Sequence, residues 1–249
     1  MSLPQVVSRE QWFEARKQLL AREKELTRAR DALNADRRRL PMVKVDKDYV
    51  FHGPKGEASL PDLFDGRRQL VVQHVMFDPS WTDACAGCTA SIDELSDGMM
   101  VHLNSRDTTY ALVSRAPLEK LEDYKNRRGW TLPWYSSHGS TFNYDFHVTM
   151  DQSVQPIEFN YRGAQELEKA GFGWILEGSS EQPGHSCFLQ EDGEVYHTYS
   201  TFARGSEALG GSYGVLDWTA LGRQEAWEEP KGRVQSPHGA DPSFTDTLG

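Results

Sequence analysis

Residues 70–77, Leu-Val-Val-Gln-His-Val-Met-Phe, form an apolar run that leads straight into a segment carrying two cysteines three apart, Cys85 and Cys88. A run of this length reads as a buried strand, and a strand followed at once by Cys-x-x-Cys is the context a dithiol redox site requires. A turn from strand to helix here places Cys85 at or just before the helix N-terminus. Unpaired amide N–H groups and the helix dipole favour a thiolate there. Cys88, one turn on, faces the same way and can close a disulfide.

The chain has 249 residues, enough to bury a full core. No run of about 18 apolar residues and no secretory leader is read in it, so the expectation is a cytoplasmic protein with no membrane partner. Three cysteines are too few for a disulfide scaffold; in a reducing compartment a close pair is more often catalytic or metal-binding. Of the net charge of −10, residues 1–41 hold ten Lys/Arg and six Asp/Glu, which leaves 17 Lys/Arg and 31 Asp/Glu on the other 208 residues. So acidic a body argues against a nucleic-acid partner.

Ser8-Arg9-Glu10-Gln11 reads as a capping box and Pro41 as the end of the long helix it opens. Trp12, Leu19, Leu26, Leu33 and Leu40 recur every seven residues along it, a narrow apolar stripe that needs a partner. That partner is either a second subunit, giving a homodimer, or the chain's own acidic body. Residues 1–41 are therefore read as a helical arm, 42–222 as the main domain with an insertion at about 151–184, and 223–249 as a polar, loose tail. Within the main domain, Val43–Phe51 and Ser59–Gly66 suggest an introductory hairpin, Thr108–Ser114 a second strand, and Pro117 the start of a helix. Trp130–Ser137 is expected at a sheet edge or end because of Pro133. The insertion is given a short helix at 164–170, and Ser186–Gln190 and Val195–Ser200 a hairpin about Asp192-Gly193. Alternation of strands and helices implies a partly parallel α/β sheet.

This order resembles the thioredoxin-like fold of peroxiredoxins and related thiol-disulfide proteins over residues 43–205. A closer resemblance, from about Val7 to Gly222, is to the thioredoxin-like bacterial family known as domain of unknown function 899. It is carried by Val7–Trp12, Lys24–Leu33, Arg37–Pro41, Lys47–Phe51, Ser114–Glu119 and His197–Gly205. The resemblance implies a central mixed sheet flanked by helices and a dithiol activity, with a disulfide or peroxide as substrate, a thiol reductant as partner, and no cofactor. The family usually has Pro-Ser between its cysteines where this chain has Ala86-Gly87, and the end after Gly222 lacks the family's aromatic, basic character.

Cys85 is read as the nucleophile and Cys88 as the resolving thiol; the bland alternative is a buried, inert pair. Zinc needs two further ligands, and no second Cys pair or spaced His pair is present, so no metal is expected. Thr82 stands three before Cys85, the spacing of the threonine that hydrogen-bonds the reacting oxygens in peroxiredoxins, although a helix N-cap explains it equally. By order, His185 corresponds to the arginine that steadies the peroxiredoxin thiolate, and either a protonated partner or a proton shuttle fits it, as does a structural histidine. Where thioredoxins place a cis-proline, this chain has His185-Ser186. Trp81 and Trp134, with Trp130 and Tyr135, are candidates to line a substrate cleft, against ordinary core packing. Cys187 reads as a buried strand residue, and His74 and His147 as core or near-core residues. The function class is thus a dithiol-disulfide oxidoreductase, with a peroxide reductase as a variant and a binding or scaffold protein assembled through its arm as the rival.

Overall fold

A computed structural model describes residues 3–209 and, beyond them, Gly211, residues 215–219 and 225–229, and four single positions up to 237. The tail expected after residue 222 lies for most of its length outside the described residues. The chain divides into two compact units, one made of residues 1–41 with 212–239 and the other containing 42–211.

The first unit is dominated by helix α1 (Arg9–Arg37), which starts as the capping box requires: Ser8 Oγ accepts from the Gln11 N–H, and Gln11 Oε1 accepts from the Ser8 N–H. None of its residues is buried, and Trp12 and Leu26 are 58% and 70% exposed. Among the described residues no helix is long and apolar enough to cross a membrane.

The second unit contains, in chain order, β1 (Val43–Lys44), β2 (Val50–Gly53), β3 (Gly56–Ser59), β4 (Gln69–His74), α2 (Ala86–Asp93), α3 (Asp97–Asn104), β5 (Thr108–Ser114), α4 (Leu118–Arg128) and β6 (Trp134–Ser136). There follow α5 (Phe142–Asp145), β7 (Thr149–Asp151), β8 (Glu158–Phe159), β9 (Arg162–Gly163), α6 (Ala164–Lys169), β10 (Ser179–Glu181), β11 (Gly184–Glu191) and β12 (Glu194–Phe202). Eight strands form one mixed sheet in the order β1-β12-β11-β4-β5-β6-β2-β3. β4, β5 and β6 are parallel, and β11 runs antiparallel against β4 and β12. This is the thioredoxin-like arrangement that the resemblance implied, with β4 and β5 joined through the cysteine helix.

The two-residue alternation of strands sorts the core. Leu70, Val72, Ala111, Val113 and Phe188 pack on one face with Phe51, Phe64, Phe142 and Phe146. Tyr110 and Leu112 pack on the other with Val75, Phe77, Cys88 and Ile92 of the cysteine segment and Leu121 and Tyr124 of α4. The residues expected to form an insertion build a third small core, in which Met150, Ile157, Leu167 and Ile175 meet Phe202.

Two expectations are corrected. Val43–Phe51 does not enter one hairpin: β1 pairs with β12 at one edge of the sheet, while the hairpin β2-β3 closes the other. Of the two places expected for the strand at Pro133, an edge or an end, the edge is wrong and the end holds: β6 lies between β5 and β2, with the proline at its start. Pro133 sits just ahead of the strand, where its carbonyl accepts from the Leu112 N–H at 2.9 Å and its missing N–H breaks no rung of the ladder.

Candidate active site

Cys85 is the N-cap of α2, the last extended residue before the helix (φ −53°, ψ 133°). Its N–H is held by the Met76 carbonyl at 3.0 Å and its carbonyl accepts from the Thr89 N–H at 2.9 Å, so the turn from strand to helix is fixed on both sides. Cys85 is half-buried, Cys88 buried, and both are free thiols. The Cys88 S–H donates to the Cys85 sulfur, and the amides of Cys88 and Gly87 are aimed at it. Against the opposing pull of burial, they lower the Cys85 thiol from its ordinary 9.0 to about 6. Cys88 moves the other way, well above 9.0, because its proton is held by Cys85, its surroundings are dry, and the Cys85 charge lies beside it. The pair is thus split into one ready thiolate and one protected thiol.

The loop that delivers Cys85 is pinned by three cations. Lys120 Nζ donates to the carbonyls of Pro79 and Trp81 at 2.7 and 2.8 Å. Arg127 pairs with Asp83 at 2.8 Å. Arg115 pairs with Asp78 and, through Nε at 2.7 Å, with Glu181, whose other oxygen accepts from Thr149 at 2.9 Å.

Thr82 is exposed on this loop and does not cap the helix, since Cys85 holds that place. Trp81 is half-buried against the cluster that contains Cys85 and Cys88. Trp134 is 0% exposed, its indole N–H given to Ser114 Oγ at 2.9 Å, so the substrate-lining role expected of it is wrong. Trp130 borders an open space, a cavity of about 450 Å³ at the far end of α2 shared with Ile92, Leu95, Met100 and Arg128.

His185 is 9% exposed, with Nε2 at 3.0 Å from the Tyr110 hydroxyl and Nδ1 at 3.1 Å from Ser206 Oγ. Burial lowers it from 6.5 to about 4, so at neutral pH it carries no charge with which to steady a thiolate, and that reading is corrected. Cys187 lies on β11 opposite Val71, half-buried, its thiol raised by burial to about 11. His74 is a core residue bonded to Ser186 Oγ at 2.8 Å. His147 stands in the left-handed region at φ 53°. Among the described residues no three His, Cys, Asp or Glu side chains converge as metal ligands would.

Gln73, Ser91 and Tyr110 had no sequence signal as site residues. Gln73 and Tyr110 read as ordinary members of strands, and only the register Val71↔Tyr110 and His185↔Gln73 brings them beneath the cysteine helix.

Among solved structures, the chain is similar to a single-residue mutant of PrxQ from Xylella fastidiosa, at 11% identity and TM-score 0.42 over 68% of this chain and 91% of that one. It is also similar to peroxidoxin BcpB from Mycobacterium tuberculosis, at 16% identity and TM-score 0.42 over 68% and 94%. A third is the bacterioferritin comigratory protein of Xanthomonas campestris, at 11% identity and TM-score 0.40 over 67% and 92%. At such identities the similarity concerns the path of the chain alone. No curated protein matches the sequence. Residues 1–238 match the family described as "Bacterial protein of unknown function (DUF899)", and the chain belongs to that family.

Proposed function

We propose that this protein is a dithiol-disulfide oxidoreductase. The observation that carries the reading is the split pair at the start of α2, with Cys85 lowered to about 6 and Cys88 buried and raised. At neutral pH the Cys85 thiolate attacks one sulfur of a substrate disulfide; a new S–S bond forms, the old one breaks, and one substrate sulfur leaves as a thiolate that takes a proton from water. Formation of the mixed disulfide removes the negative charge from Cys85 Sγ and with it a cause of the high Cys88 value. Cys88 then loses its proton and attacks Cys85 Sγ, releasing the second substrate thiol and leaving the Cys85–Cys88 disulfide. Two electrons have passed to substrate, and a thiol reductant returns them. With a peroxide, the same thiolate attacks one oxygen, the O–O bond breaks, and the other oxygen leaves and takes a proton from water as an alcohol or as water. The resulting sulfenic acid is converted by Cys88 to the disulfide with loss of water.

The test is turnover of a protein disulfide with dithiothreitol as reductant. Cys85→Ser is expected to lower the rate at least about 100-fold, and Cys88→Ser to accumulate a mixed disulfide seen by mass spectrometry. Full turnover in Cys85→Ser rules the mechanism out.

A second reading, assembly through the arm, is supported by the exposure of Trp12, Phe13, Leu19, Leu26 and Leu33 on a helix with no buried residue. In that reading a second copy of α1 covers the stripe, and the protein is a homodimer whether or not its dithiol turns over.

A further inference from the structure

Helix α2 has eight residues, too few to keep their shape in water without tertiary contacts. Whatever fixes its first turn also fixes how Cys85 and Cys88 face each other. The far end of α2 is held by Asp93, which accepts from Arg128 and Trp130. Of the two holds nearer the cysteines, one is apolar and lateral: Cys88 and Ile92 are buried, and Thr89 Oγ1 meets the Tyr124 hydroxyl of α4 at 2.9 Å. The other runs into the sheet as a single file of hydrogen bonds. The Ser91 hydroxyl donates to the Cys88 carbonyl at 2.8 Å and accepts from Gln73 Nε2 at 2.9 Å. Gln73 Oε1 accepts from the Tyr110 hydroxyl at 2.8 Å, and the Tyr110 oxygen meets His185 Nε2 at 3.0 Å.

The direction of every bond in the file follows from the first. Ser91 has one proton and gives it to Cys88, so Gln73 must present its NH₂ to Ser91 and its carbonyl to Tyr110. Tyr110 then spends its only proton on Gln73. Its oxygen accepts the Nε2–H of a neutral His185, whose Nδ1 accepts from Ser206. Burial of the imidazole agrees with that neutral form. Gln73 and Tyr110 are both buried, so a break at either strands a partner without water to replace it.

We propose that Gln73 and Tyr110, acting through Ser91, are positioning residues for the dithiol: they hold the Cys88 carbonyl, and with it the first turn of α2, at a fixed height over β4 and β5. That height keeps the Cys88 S–H and the Gly87 and Cys88 amides aimed at Cys85 Sγ. The proposal rests on the reading of Cys85 and Cys88 as a working pair, and it assigns to the sheet beneath them a part in setting the reactivity of Cys85.

The test uses the full chain, reduced, and follows the rate of Cys85 alkylation by iodoacetamide against pH by peptide mass spectrometry. The wild-type midpoint is expected near 6. Ser91→Ala, Gln73→Leu and Tyr110→Phe are each expected to raise it by roughly half to one pH unit, the scale of one hydrogen bond, and Ser91→Thr, which keeps the hydroxyl, to restore it. Val72→Ala, on the opposite face of β4, serves as the control that lowers the melting temperature and leaves the midpoint in place. Unchanged midpoints in the three variants, or an equal rise in Val72→Ala, overturn the positioning role while a wild-type midpoint near 6 leaves the dithiol reading standing. A wild-type midpoint near 9 overturns both. Should Gln73→Leu fail to fold, Ser91→Ala, at the exposed end of the file, decides the matter.

Discussion

Glu181 is a carboxylate with 2% of its side chain exposed, and Arg115 is the cation that keeps it tolerable there. Burial raises the Glu181 pKa even with that partner present. Removing one member of a buried pair leaves a charge with neither solvent nor counterion. Arg115→Met is therefore expected to cost about 3–5 kcal/mol in urea unfolding, and Arg115→Met with Glu181→Leu distinctly less than Arg115→Met alone; additive losses would refute the coupling. Because Arg115 also holds Asp78, the single variant should loosen the loop that leads to Cys85. The pattern Ser114–Glu119 was visible in the sequence as a hallmark, but its reason was not. Arg115 reaches a residue 66 positions downstream on a short strand that no local pattern announces. Trp134 failed for a related cause. It and Trp130 are four residues apart with a proline between, and nothing local says that one indole turns to Ser114 in the core and the other to Asp93 beside a cavity.

Elements whose signals are local were legible. The capping box of α1, the α4 start after Pro117, the β4-to-α2 turn at the cysteines and the Asp192-Gly193 hairpin, with both turn residues in the left-handed region, stand where sequence places them. Elements made by distant pairing were not. β1 has two residues and exists because His197 and Tyr196 lie opposite it, and β10 exists against β7. Helix α1 is legible in extent and open in purpose. Its apolar positions contribute nothing to a core, so Leu19→Asp with Leu26→Asp is expected to leave the melting temperature within about 2 °C, as surface changes do. If the arm assembles two copies, the same change lowers the mass seen by light scattering from dimer to monomer; a monomeric wild type would end that reading.

At the scale of the whole molecule, the central sheet is expected to be sensitive to acid. His74 and His185 are buried neutral on neighbouring strands, lowered from 6.5 to about 3 and about 4, and burial lowers His197 as well. Below pH 6.5 the unfolded chain takes up protons that the folded chain refuses, so stability is full above that pH and is lost on descending toward 4. The slope is about 1.4 kcal/mol per pH unit for each fully linked histidine. Denaturant midpoints measured from pH 7 to pH 4 should fall steadily. A flat profile, or one in which His74→Phe changes nothing, would show that these imidazoles are not what acid attacks.

The strand order has a last consequence, in time. β4 lies between β5 and β11, and β11 begins 96 residues after Cys88. At about 5–20 residues per second, a ribosome needs some 5–20 s to supply it. For that interval the strand leading to the cysteines is an open edge, without His185 to complete the file beneath α2. A nascent chain halted short of Gly184 should therefore show a narrower difference between its two thiols toward an alkylating agent. The full difference between Cys85 and Cys88 would appear only once the hairpin β11-β12 has left the ribosome.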